Sequence, residues 1–438
     1  MPWYVPVNAK NKGEVPLNAP IVGIRPTINQ ETFGWLRRPP HCVIKMFCCL
    51  QLNRRISLPV GMVRTVLGCL TLLLLLDARS VRGESPLWRK HVILSVKKCY
   101  NVAVADITGD GKPDIIANRF NTTMLLIAPN WKLVEIENER RLHVYASGVM
   151  DVDGDGDLDY VAAKYSPGLL FWLECPDKPD SQKWPFHVID DEPDGVHGIL
   201  LRDLDGDGRL DLVTNSAHSK GPLPQSLLWY KIPDNSRARW TRHLLGNRDA
   251  PGRPHYFTSG DFNGDGRVDI AVASSGVSLV GGDWLAWWEA PRKRTDPWTK
   301  HLIADHQVGA THVLAGDFNG DNESDFIASM GHGRGVVWFE ATHWHRRTIL
   351  ASIREPHCLI AADLDGDGDL DAATISRKDF LAVWFENNGR GKFTVRNIAR
   401  NQSAYDLCAA DMDGDGDFDL IAAGAESDNV VWLENPIR

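Results

Sequence analysis

Seven short segments of this 438-residue chain place oxygen-bearing side chains on alternate positions. They start at Asp106, Asp151, Asp203, Asp261, Asp317, Asp363 and Asp411, and the last reads DMDGDGDFD. Carboxylates packed this closely repel one another, and a bound cation removes the repulsion. Counting the first Asp as position 1, positions 1, 3, 5 and 9 are Asp106, Thr108, Asp110 and Asp114 in the first copy and Asp151, Asp153, Asp155 and Asp159 in the second. The third and fourth carry Asp203, Asp205, Asp207 and Asp211, then Asp261, Asn263, Asp265 and Asp269. The fifth has Asp317, Asn319, Asp321 and Asp325, the sixth Asp363, Asp365, Asp367 and Asp371, and the seventh Asp411, Asp413, Asp415 and Asp419. Hard oxygens on the inside of a tight turn, a position 7 carbonyl and Gly at position 6 are calcium chemistry. An EF-hand would also need Glu at position 12 between helices, whereas that position is Ala162, Thr214, Thr374 or Ala422 here. About six or seven Ca2+ sites are therefore expected, on hairpins rather than helices. The Asp317 copy is expected to be the weakest, because Asn322 replaces the glycine, though Asn also accepts a left-handed turn.

A second set of residues lies six positions before each acidic loop: Tyr100, Tyr145, His197, His255, Thr311, His357 and Tyr405. His312 adjoins Thr311, offset by one residue, which turns it to the other face unless a bulge intervenes. Imidazoles gathered around one axis are candidate ligands for a transition metal, with His197, His255, His312 and His357 as the candidate set. His197, His255, His357 and Tyr405 are the candidates for proton transfer. Arg119, Lys164, His218, His332, Arg334, Arg377 and Lys378 fall at the same end, in the loops after the second strand of each unit. With Tyr100 and Tyr145 they would form a basic, aromatic mouth suited to an anionic or carbonyl-rich ligand. The alternative is that polar residues merely line a wet channel.

What positions these residues is a repeat. The loop starts are 45, 52, 58, 56, 46 and 48 residues apart, a period that defines a repeat architecture. Around His197 one unit reads HGILLR, the acidic loop, LDLVTNS, QSLLWYKI and RWTRHLLG, which predicts four strands bounded by turn residues. Aromatic pairs close the third strand elsewhere, as in LLFWLE, WLAWWE, GVVWFE and NVVWLEN, and account for most of the sixteen tryptophans as core wedges. Seven such units predict an all-β, seven-bladed β-propeller of four-stranded blades. The last unit has three strands, and LWRKHVILS from Leu87 matches the missing fourth, so the N-terminal strand should close the last blade. The propeller is expected over residues 84–438 and as a monomer.

The first 83 residues differ, with 11 Lys/Arg against 3 Asp/Glu in a chain whose net charge is −9. From Met62, one basic residue, an apolar run from Val66 to Leu76 and a polar stretch ending at Gly83 follow the order of a signal peptide. The run is short of the ~20 residues needed to span a bilayer, so no membrane span is expected in the mature chain. Residues 62–83 are thus expected to direct secretion, or export to a periplasm, with 1–61 untranslated or disordered. The acidic remainder argues against nucleic acid as a partner. Cys99, Cys175, Cys358 and Cys408 form no metal spacing and are expected as buried thiols. Neither a phosphate loop nor a dinucleotide fingerprint occurs.

The acidic loops and VWFEN strands resemble the FG-GAP/VCBS repeat family, whose calcium loops recur in integrin-type propellers. That resemblance implies calcium as a stabiliser of each blade and leaves the ligand open, with a carbohydrate or an extracellular protein expected. In architecture alone, the chain is also similar to the propeller domain of aldos-2-ulose dehydratase. That likeness implies a second reading, a metal-dependent lyase or dehydratase acting on a keto-sugar in the channel.

Overall fold

Each acidic loop lies between two runs rich in Val, Ile, Leu and Ala, and the two runs pair as an antiparallel hairpin. The computed structural model describes residues 87–277 and 279–437. Every regular element among them is a strand. The strands form seven four-stranded antiparallel sheets arranged as the blades of a propeller. Blades I to VI run from Cys99 to Glu137, Val144 to Asp190, Ile199 to Gly246, Arg253 to Ala304, His312 to Arg354 and Ile360 to Arg400. Within each, four strands follow one another outward in chain order. Blade VII takes Asp406–Ala410, Asp419–Gly424 and Asn429–Glu434 from the C-terminal end, and Arg89–Ser95 adds its outermost strand. The closing strand expected from LWRKHVILS is there, in register Arg89 to Glu434. The expectations for residues 1–61 and 62–83 lie outside the described residues.

The core is divided among the blade interfaces. Seven apolar clusters fill the molecule, and each is shared by two neighbouring blades, including one between VII and I. Inner strand Cys99–Ala105 of blade I touches the inner strands of both II and VII, which closes the ring. Such closure leaves no open edge between first and last blades.

The third-strand tryptophans do more than wedge. Each faces a cation-capable residue on the outer strand: Trp172 opposite His187, Trp229 opposite His243, Trp287 opposite His301 and Trp432 opposite His91. In blades V and VI arginine takes that place, opposite Trp338 and Trp384. The imidazoles stack on the indoles at 4.2–4.4 Å in blades II, IV and VII. Each of these three also meets a Glu at or just past the end of the third strand, as His187 meets Glu174 at 2.8 Å. These histidines are structural fixtures of the blade rim, distinct from those near the axis. Cys99, Cys175, Cys358 and Cys408 are free thiols, the first three buried.

Candidate functional site

In all seven blades the acidic loop closes at one register. Position 9 pairs with the last residue of the inner strand, as Ala105 with Asp114 and Ala410 with Asp419. Asp114, Asp159, Asp211, Asp269, Asp325, Asp371 and Asp419 are all buried. Their carboxylates act as buckles. Asp371 accepts hydrogen bonds from Leu364 N (3.1 Å) in its own loop and Asn387 N (2.7 Å) beyond the third strand. Asp159 holds Val152 N and Cys175 N, and Asp419 holds Met412 N and Asn435 N, in the same way. Burial pushes these acids up, Asp159 to about 8 and Asp211, Asp371 and Asp419 to about 7. A cation alongside would offset that cost.

Position 1 is fixed by the turn itself. Asp151 accepts from Gly154 N (2.7 Å) and Gly156 N (3.1 Å), and Asp411 is held alike by Gly414 N and Gly416 N. In the Asp317 loop Asn322 takes the glycine's place at φ +66°, and its N–H still reaches Asp317 at 2.8 Å. Carboxylate oxygens of Asp151, Asp153 and Asp159 lie within 4.8 Å of one another, as do those of Asp203, Asp205 and Asp211 and of Asp363, Asp365 and Asp371. In the seventh loop the converging set is Asp411, Asp413 and Asp415. In four loops a basic side chain also reaches an acid: Lys112 to Asp110, Lys231 to Asp205 and Asp207, Arg237 to Asp153, and Arg267 to Asp265.

At the other end of the inner strands, six of the seven blades bring an aromatic ring toward the axis. Tyr100, Tyr145, His197, His255, His357 and Tyr405 make a chain of ring contacts. His197 and His255 stand 4.0 Å apart, and His357 and Tyr405 3.9 Å apart. Blade V contributes Thr311 instead, whose hydroxyl donates to the His357 carbonyl at 2.8 Å. The space beside this smaller residue is reached by His332, from the loop after the second strand of the same blade. His332 lies 5.0 Å from His255 and 5.2 Å from His357, ring to ring. Two glycines allow the approach. A Cβ on Gly331 would sit 2.6 Å from His357 Cα, and one on Gly198 would sit 1.8 Å from the His255 carbonyl oxygen.

The expected set of four histidines is therefore rearranged. His312 faces away: it stacks on Tyr256 at 4.4 Å, and its Nδ1 accepts a hydrogen bond from Leu359 N at 2.9 Å. The one-residue offset puts it on the other side of the strand. The group whose ligand atoms converge is His255, His332 and His357. His197 lies beside it, with Nε2 3.2 Å from the Tyr405 hydroxyl. His197, His255, His357 and Tyr405 are buried, so these residues form a packed cluster where a wet channel was the alternative. Burial lowers His197 to about 3 and His332 to about 4, and holds His255 and His357 well below the usual imidazole range. All four are neutral at pH 7.

The loop residues divide. Arg377 crosses over the Tyr405 ring at 5.2 Å while paired with Glu426 and Glu355. His218 binds Asp194 at 2.8 Å, and Lys164 is half-buried beside Tyr165. Arg119, Arg334 and Lys378 are exposed around the rim. Two features were not anticipated. Arg253 stands 5.7 Å from the Tyr165 ring and acts electrostatically on His197 and His332. Tyr256 of blade IV reaches across to blade VII, where its hydroxyl lies 3.3 Å from both the Tyr405 carbonyl and Asp406 Oδ1. Asp406 is also held by Asn101 Nδ2 at 2.6 Å, and burial raises it to about 6.

A ring of seven blades, each with one acidic hairpin at a fixed register, defines a repeat propeller, and this chain belongs to the FG-GAP-like repeat family, which matches residues 151–214, 227–328 and 363–422. It is similar to cartilage acidic protein 1 of Homo sapiens, at 25% identity over 293 residues, covering 58% of this chain and 42% of that protein. Cartilage acidic protein 1 of Mus musculus is similar at 24% identity over 287 residues, covering 58% and 43%. The chain spans less than half the length of the curated relatives it matches. Among the described residues no helix is long and apolar enough to cross a membrane.

Proposed function

We propose that this chain is an exported, calcium-stabilised propeller that binds a carbohydrate or an extracellular protein on the face opposite the acidic loops. The observation that carries the reading is the repeated acidic hairpin. Seven times, position 1 and buried position 9 are fixed by backbone N–H groups, and in four loops three carboxylates converge within ligand distance. Calcium would be held by the side chains at positions 1, 3 and 5 with help from position 9, tying the first two strands of each blade together. A relative whose name places it in cartilage supports an extracellular setting.

On an acidic chain, Arg119, Lys164, Arg334, Arg377 and Lys378 gather at one end with Tyr100, Tyr145 and Tyr165. Guanidinium and ammonium groups beside phenol rings suit an anionic glycan or an acidic protein segment. Titration of the calcium-loaded chain with a uronic-acid polysaccharide and with neutral dextran tests this. The acidic polymer should bind, and a Lys164→Ala, Arg334→Ala double variant should weaken it by roughly tenfold, the scale of two charged contacts. Equal binding of dextran, or an unaltered affinity in the variant, would sink the assignment of this face.

A further inference from the structure

We propose that His255, His332 and His357 form a site for one divalent first-row transition metal, such as zinc, separate from the acidic loops. The inference stands independently of the calcium reading, because it uses different residues at the opposite end of the inner strands.

Two hydrogen bonds set the ligand atoms. His255 Nδ1–H donates to the Arg253 carbonyl at 2.7 Å, and His357 Nδ1–H donates to the Tyr405 carbonyl at 2.9 Å. A carbonyl can only accept, so each neutral ring carries its proton on Nδ1 and leaves a lone pair on Nε2. Metal-ligating histidines are oriented in this manner, with the second nitrogen donating to a backbone carbonyl. His255 Nε2 points at His332 Nε2, 3.1 Å away. His357 Nε2 is buried with no hydrogen-bond partner, in a side chain with no solvent exposure. An unpartnered acceptor so deeply buried is costly unless something binds it. The ligand atoms of the three residues lie within 4.8 Å of one another. A tetrahedral zinc with bonds of about 2.0–2.1 Å would hold them about 3.3 Å apart, and the His255 and His332 Nε2 atoms already stand near that spacing.

Three imidazoles leave one position open on a tetrahedral ion. Arg253 acts electrostatically on His332 and its Nε has no hydrogen-bond partner, whereas Arg377 is already paired with Glu426 and Glu355. Positive charge on that side favours an anionic oxygen donor, such as a carboxylate, as the fourth ligand. The site would therefore take the same class of ligand as the basic face around it. Three different blades supply the histidines, and His332 comes from a loop, so no spacing motif marks the site.

The test uses the full chain, treated with 1,10-phenanthroline in excess calcium and then titrated with Zn2+ and with Co2+. About one ion per chain should bind, and Co2+ should give the intense visible absorption of a tetrahedral site. His332→Ala, a half-exposed loop position, should lower affinity by at least about tenfold, while His243→Ala on an outer strand should not change it. Retained calcium and an unchanged circular dichroism spectrum show that the variant is folded. If His332→Ala does not fold, His332→Gln and the Co2+ spectrum of the unaltered chain carry the test. A folded chain that takes up no stoichiometric Zn2+, or a folded His332→Ala chain that binds as tightly, would overturn the proposal. Calcium is counted in the same samples, so loss of calcium with retained zinc counts against the loop reading alone.

Discussion

The two ends of the inner strands are built by opposite strategies. At one end the same acidic hairpin recurs in every blade, exposed at its tip and anchored by a buried Asp at a fixed register. At the other end no such uniformity exists: the blades offer phenol, phenol, imidazole, imidazole, hydroxyl, imidazole and phenol in turn. A feature repeated sevenfold serves what every blade needs, which is stability. A feature that breaks the symmetry, as Thr311 does by making room for His332, creates one place unlike any other. The axis end is where the chain could recognise something specific.

The division predicts separable responses. Removing calcium with EGTA should be the largest perturbation. Each site loaded at 100 times its Kd contributes about 2.7 kcal/mol, so loss of several sites should lower the melting temperature by roughly 10 °C or more. Next in size, Asp371→Ala deprives two backbone N–H groups of their acceptor, Leu364 N and Asn387 N. At roughly 1–3 kcal/mol for each unsatisfied buried donor, denaturant unfolding should show about 2–6 kcal/mol lost. Gly331→Ala forces a methyl against Thr311 and His357. It should cost about 1–3 kcal/mol and lower zinc uptake while leaving the calcium count unchanged, a combination that no change on the acidic face should give.

The buried histidines of the axis end contribute to the pH dependence with one sign, opposite to that of Asp406, whose carboxyl burial raises. Burial lowers His312 to about 3 in the folded chain, against 6.5 when unfolded. Below pH 6.5 the unfolded chain takes up a proton there that the folded chain refuses, so this contribution to stability falls as pH drops from 6.5 toward 4. Melting curves at saturating calcium should show the unaltered chain losing stability relative to His312→Gln as the pH falls through this range. The smallest effect is expected at the surface. Arg237→Ala removes an exposed ion pair with Glu174 and Asp153 and should change stability by no more than about 1 kcal/mol.

Sequence made the acidic end legible because its determinants are local: nine consecutive residues fix the turn, the glycine and the buried buckle. The propeller followed from the period, and the match of Leu87 onward to RWTRHLLG placed the closing strand. The axis end was legible only in part. His197, His255, His357 and Tyr405 could be placed by counting back from each loop. His332 is 77 residues from His255, and its approach depends on Gly331 and on a small residue at Thr311. The one-residue offset that removes His312 was visible in the sequence, whereas the reach of Tyr256 to Asp406 over 150 residues is tertiary. The rim triplets of Trp, His and Glu, such as Trp172, His187 and Glu174, were visible as motifs but not as contacts, because the partners lie on separate strands.

The most direct test of the two-ended account is the melting temperature of the full chain under two chelators. EGTA should lower it by roughly 10 °C or more. With calcium in excess, 1,10-phenanthroline should shift it far less, since it strips at most one site that no blade needs in order to close. A melting temperature indifferent to EGTA would contradict the central claim that the acidic loops hold the blades together through calcium.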